Sequence, residues 1–66
     1  MIVPLTDRAT GTAVYVNPAY IMTLRPEPSD PDHLSVIKLR DGETIQVLGD
    51  HEDVAEKLAE ARAMAG

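Results

Sequence analysis

The chain has no cysteine, no phenylalanine and no tryptophan, and its only aromatic residues are Tyr15 and Tyr20. Disulfides and thiolate metal sites are excluded, and His33 and His51 are the only imidazoles available as metal ligands. A core must be assembled from Val, Ile, Leu, Met and Ala, and an aliphatic core this small gains little area per residue. Basic residues are few as well, six against 11 acidic ones, for a formal net charge of -5. A nucleic-acid module needs clustered Lys and Arg to displace phosphate counterions, and six bases scattered from Arg8 to Arg62 provide no cluster. Long apolar runs are missing too: none approaches the roughly 18 residues of a membrane span. The residues that follow Met1 carry no basic leader, so a cytoplasmic protein without a membrane partner is expected.

At 66 residues the chain is expected to be a single domain covering residues 1–66, since domains rarely divide below about 100 residues. A domain of that size hides only about 60% of the surface its unfolded chain exposes. With neither disulfide nor metal cluster to support such a core, self-association is the expected support.

Residues 2–6 are short, apolar and β-branched and lead into a polar turn whose Gly11 suits positive φ. Pro4 cannot donate a ladder hydrogen bond, which places this first strand at an edge or leaves its N–H side unpaired. Residues 12–16 suit a pleated surface, and Asn17 and Pro18 end that strand. Residues 20–24 read as a third strand with Ile21 and Thr23 on one face and Tyr20, Met22 and Leu24 on the other. A helical turn over residues 18–20 is the other possibility there. Residues 25–33 hold three prolines and read as an exposed, stiffened loop outside any ladder.

Residues 34–48 form the clearest hairpin, and its register follows from burial. A two-residue turn at Asp41 and Gly42 would place Ile37 opposite Gln46 and scatter the apolar residues over both faces. A three-residue loop of Arg40, Asp41 and a left-handed Gly42 pairs Leu39 with Glu43, Ile37 with Ile45 and Ser35 with Val47. Ile37, Leu39, Ile45 and Val47 then share one face. The opposite face keeps Lys38, Thr44 and Gln46 near the turn but Leu34, Val36 and Leu48 farther away, an apolar end to be covered by a loop or by another copy. Asp50 is the expected N-cap of a closing helix, with Glu52 and Asp53 in its first turn. Val54, Leu58, Ala61 and Ala65 recur at helical spacing as its apolar stripe, while Glu56, Lys57, Glu60 and Arg62 fill the polar side. The expected fold class is α+β, a small antiparallel sheet of four to five strands with one C-terminal helix.

Few residues can carry chemistry. His33 neighbours Asp30 and Asp32, and His51 neighbours Asp50 and Asp53, but such residues also make ordinary loops and helix starts. Ser29 and Ser35 lie in no nucleophile motif, and Ser35 is expected to be packed. The four glycines form no phosphate-cradling loop. Tyr15 and Tyr20 could stack on a ligand ring, although closing the edge of a small core is the commoner use of such rings. No catalytic residue, cofactor or metal site is expected.

The opening Met1-Ile2 with Leu5-Thr6, then Val14-Tyr15-Val16-Asn17 with Ile21, then residues 37–42 reading Ile-Lys-Leu-Arg-Asp-Gly, and finally Ile45 and Val47 before an acidic helix start, follow one another in a characteristic order. That order resembles the FlbD family of small flagellar-operon proteins, which includes the swarming protein SwrD. The resemblance implies a cytoplasmic accessory protein that acts through contacts, and no catalytic residue comes with it. The expected function is a non-enzymatic, self-associating interaction protein with a protein partner. Its expected surface comprises Leu34, Val36 and Leu48 on the outer patch, Tyr20, and Pro26 and Pro28 in the loop. Two alternatives stand beside it. One is a virus-encoded small protein, either capsid-associated or an antidefence factor that sequesters a host protein or nucleotide. The other is an enzyme whose site forms between subunits from Asp30, Asp32, His33 or His51.

Overall fold

Alternating apolar residues make the first two strands, and in the computed structural model, which describes residues 2–65 and the side chains of residues 2–61, they pair with each other. Strand β1 (Val3–Thr6) runs antiparallel to β2 (Ala13–Val16), with Val3 opposite Val16 and Leu5 opposite Val14. Those four side chains face inward, and Pro4, Ala13 and Tyr15 face outward. Gly11, at φ 70°, closes the connecting turn in the left-handed region that glycine enters without a Cβ clash. The Asp7 carboxylate braces that turn by accepting from the Ala9 amide at 3.1 Å.

Asn17 then caps a single 3-10 turn, Pro18–Tyr20, by accepting from the Ala19 amide at 3.0 Å. Strand β3 (Ile21–Pro26) follows directly and pairs with β4 (Leu34–Leu39), which pairs in turn with β5 (Thr44–Leu48). The hairpin of β4 and β5 has the register that burial favours: Ile37 lies opposite Ile45 and Ser35 opposite Val47. Gly42 sits at φ 94°, and its amide donates to the Leu39 carbonyl at 3.0 Å.

Strand β3 departs from simple alternation. Its partners jump from Leu39 opposite Ile21 to Lys38 opposite Thr23, so Met22 is an extra residue in a β-bulge. The bulge turns both Ile21 and Leu24 toward the core and leaves Met22 62% exposed. Leu24 therefore does not share a face with Met22, as strict alternation requires. Pro26 also differs from expectation, for it closes β3 opposite Ser35 instead of lying outside the ladder. A proline keeps its carbonyl as an acceptor, and β3 has a neighbour on one side only, where a missing N–H is tolerated.

The five strands do not make one sheet of four to five strands. They divide into a two-stranded sheet of β1 and β2 and a three-stranded sheet in the order β3, β4, β5. A single bridge from Asp7 to Val47 and the Arg8 amide bonded to the Gln46 carbonyl at 2.9 Å join them. The reason lies in β1 itself, which pairs with β2 over its whole length and meets β5 only past its own end.

Helix α1 (His51–Ala65) begins where Asp50 caps it, accepting from the Asp53 amide at 2.8 Å. Val54, Leu58 and Ala61 are buried against Val3, Leu5, Val16, Ile37 and Val47, and this cluster is the core. Ile37 and Val47 are wholly enclosed. Met1, Gly66 and the side chains of Arg62 and Ala65 lie outside the described residues. Ser35 is buried at the sheet–helix junction, where its hydroxyl donates to the Gly49 carbonyl at 2.8 Å. Gly49, at φ 109°, needs the backbone freedom of glycine, whereas a Cβ there would meet Val54 at an ordinary contact distance of 3.5 Å.

Candidate interaction surface

The outer face of β4 and β5, expected to carry an apolar end, is not one exposed patch. Leu34 and Leu48 are direct partners across the hairpin, yet Leu34 is 6% exposed and Leu48 47% exposed. The proline loop lies against the main chain at Leu34: its Glu27 amide donates to the Leu34 carbonyl, and the Leu34 amide donates to the Asp30 carbonyl. Both main-chain groups of Leu34 are thereby tied to the loop. Val36 is half-buried in a cleft of about 810 Å³ that it shares with Asp7, Arg8, Ala9 and Gln46, where Arg8 Nη1 donates to Gln46 Oε1 at 2.7 Å. Of the expected apolar end, only Leu48 remains open.

The loop over residues 27–33 is tied together by its own polar groups. The Glu27 carboxylate accepts from the Ser29 amide at 2.9 Å and from the Ser29 hydroxyl. The hydroxyl bond is the main reason its pKa lies below the ordinary carboxylate value. His33 Nδ1 and Asp30 Oδ1 stand 2.9 Å apart, and this hydrogen bond, with the negative charge behind it, raises the imidazole pKa. Pro26 at the end of β3 and Pro28 on the loop are both exposed, so they remain available for contact.

Of the residues that could have formed a site between subunits, Asp30 and His33 are brought together, while Asp32 and His51 are exposed without contact to that pair in the hydrogen-bond pattern. Ser29 is engaged by Glu27 and Ser35 by Gly49, so neither hydroxyl meets an imidazole. Among the described residues no group of three or more His, Asp or Glu is placed to hold a metal ion. Among them, too, no helix is long and apolar enough to cross a membrane.

The largest uncovered apolar side chains gather elsewhere. Ile2, Tyr15 and Tyr20 are exposed and line one cleft of about 370 Å³ together with Val14, Leu39 and Ile45. Neither tyrosine ring closes the core, and Tyr15 is 64% exposed. On the other side of the 3-10 turn, Pro18, Ile21, Leu24, Ala55, Leu58 and Ala59, all with apolar side chains, line a second groove of about 460 Å³. The 3-10 turn contributes to both, with Tyr20 in the first and Pro18 in the second.

The sequence alone places Tyr20 on the interaction surface, offers Tyr15 only as a ring that could stack on a ligand, and gives Ile2 no role. A signal for Tyr15 was present in the charge pattern. None of the 11 acidic and six basic residues falls within residues 10–24, the stretch that contains β2, the 3-10 turn and the first part of β3. Compared with family models, with curated proteins and with solved structures, the chain matches none.

Proposed function

We propose that this protein is a non-enzymatic interaction module of the cytoplasm that self-associates and presents the assembled surface to a protein partner, in the manner of an FlbD-like accessory protein. The observation that carries this reading is the exposure of Ile2, Tyr15, Tyr20, Met22 and Leu48 in a chain of 66 residues. Large side chains scattered singly over a surface call for no explanation, but three of these five converge on one cleft. Covering that cleft with a second copy removes apolar area from water at about 25 cal/mol per Å², which supplements a core of very few side chains. The order of short strands, glycine turn and acidic helix start supports the FlbD-like assignment.

Sedimentation velocity and light scattering across the micromolar range test the reading directly. A concentration-dependent rise in mass above the 7.2 kDa chain is the expected result. A single 7.2 kDa species at every concentration would remove the assembly from the proposal.

A further inference from the structure

By sheet order β1, β2, β3 and β5 each have a hydrogen-bonded neighbour on one side only. Strand β1 carries Pro4, and β5 is met at Val47 and Gln46 by Asp7 and Arg8, which leaves β2 and β3 as the edges to compare. An edge strand offers alternate N–H and C=O groups to any passing strand, and proteins that remain monomeric blunt such edges with bulges, charges or proline. Edge β3 has all three: the bulge at Met22, the charge of Arg25, and Pro26 at its end. Edge β2 has none. Its four residues, Ala13, Val14, Tyr15 and Val16, are uncharged, regularly paired to β1 without a register shift, and free of proline.

Charge narrows the choice of occupant. In a chain of net charge -5, two copies repel wherever their carboxylates meet, and the longest stretch free of charge is residues 9–24. Within that stretch a second copy brings no like charges together, and Glu43 is the one charged residue that lines the neighbouring cleft. An uncharged strand also provides no charge by which a different protein could be selected. A two-fold contact between copies requires only that one surface match itself, and an antiparallel pair of identical strands meets that condition.

The geometry points to a two-fold dimer in which β2 pairs antiparallel with β2 of a second copy, joining the two small sheets into one continuous four-stranded sheet. This inference rests on the self-association proposed above and names its interface. On the outward face, Ala13 and Tyr15 of each copy lie beside those of the other, where cross-strand aromatic and aliphatic pairs stabilise a sheet. The exposed cleft that holds Tyr15, Tyr20 and Ile2 borders the same edge and is narrowed by the incoming copy.

The test combines the wild-type chain with three exposed-site variants, Tyr15→Asp on β2, Met22→Asp on β3 and Leu48→Asp on β5, each checked for fold by circular dichroism. Tyr15→Asp is expected to weaken dimerisation about 100-fold or more by placing like charges across the strand pair, with the other two variants close to wild type. Amide hydrogen exchange of the wild-type chain gives a second readout that needs no variant. Exchange at residues 13–16 should slow as concentration rises while that at residues 21–26 does not change. A wild-type dimer that survives Tyr15→Asp, or that leaves exchange over residues 13–16 independent of concentration, overturns the β2 interface while self-association stands. A wild-type chain that stays monomeric overturns both.

Discussion

The hairpin of β4 and β5 and that of β1 and β2 are built alike, and their fates differ. Both are antiparallel, both turn through a glycine at positive φ, and both put aliphatic residues on an inner face. In the first, β4 lies between two strands and α1 packs over its inner face, so Ile37 and Val47 lose all contact with water. In the second, β2 has one neighbour and its outer face has nothing over it, so Tyr15 stays in solvent. Hydrophobic stabilisation follows the area that neighbours cover and not the composition of the strand. The inner faces of both hairpins are therefore core, while the outer face of β2 is available surface.

Deleting side chains is the strongest way to break this comparison. Ile37→Ala is expected to cost about 2–5 kcal/mol, because the methyls it removes are fully enclosed and their space cannot refill. That is a large share of the roughly 3–10 kcal/mol available to a domain of this length. Met22→Ala, on the exposed bulge, should stay within about 0.5 kcal/mol of wild type. Urea unfolding monitored by circular dichroism measures both, and similar losses for the two would mean that burial does not distinguish these sites.

The two turns sharpen the comparison with a smaller effect. Gly42→Ala and Gly11→Ala each force a Cβ into a left-handed backbone, for a cost of about 1–2 kcal/mol. No atom lies within 4 Å of the added Cβ at either place, so the cost comes from the backbone alone. Equal losses in thermal melts would show that the hairpins differ in covering and not in turn strength. A loss confined to Gly42→Ala would instead assign part of the difference to the turns.

The smallest effect concerns the loop bonded to the main chain at Leu34. The raised pKa of His33 means that its pairing with Asp30 stabilises the folded chain while the imidazole is protonated. The contribution is complete below the ordinary value of 6.5 and is lost as pH rises through the folded-state value. Asp30→Asn should lower the His33 midpoint in an NMR titration, and an unchanged midpoint would show that the 2.9 Å contact does not persist in solution. Because the pair is exposed, the change in stability is expected to be slight.

Much of this fold was legible from local chemistry. The hairpin register at Ile37 and Ile45, the left-handed glycines and the Asp50 cap each depend on residues close together in the chain, whose turn and burial preferences agree. The bulge at Met22 was not legible, because it moves Leu24 toward a core made by other elements. Nor was the burial of Leu34, nor its two main-chain bonds to a loop whose prolines suggested only exposure. The apolar cleft was half legible: Tyr20 was chosen, while Ile2 and Tyr15 join it only because β1, β2 and the β4–β5 hairpin meet.

The sequence by itself determined which segments extend, where they turn, which face of the second hairpin is apolar, and where the helix starts. These are decided by backbone sterics, hydrogen bonds and side-chain period within a few residues. Only the tertiary structure decided that the strands divide into two sheets, that Leu34 is buried while Leu48 is open, and that β2 keeps a bare edge. Those outcomes depend on which distant segments come to lie beside one another, and no local preference of Leu34, Leu48 or Tyr15 specifies its neighbours.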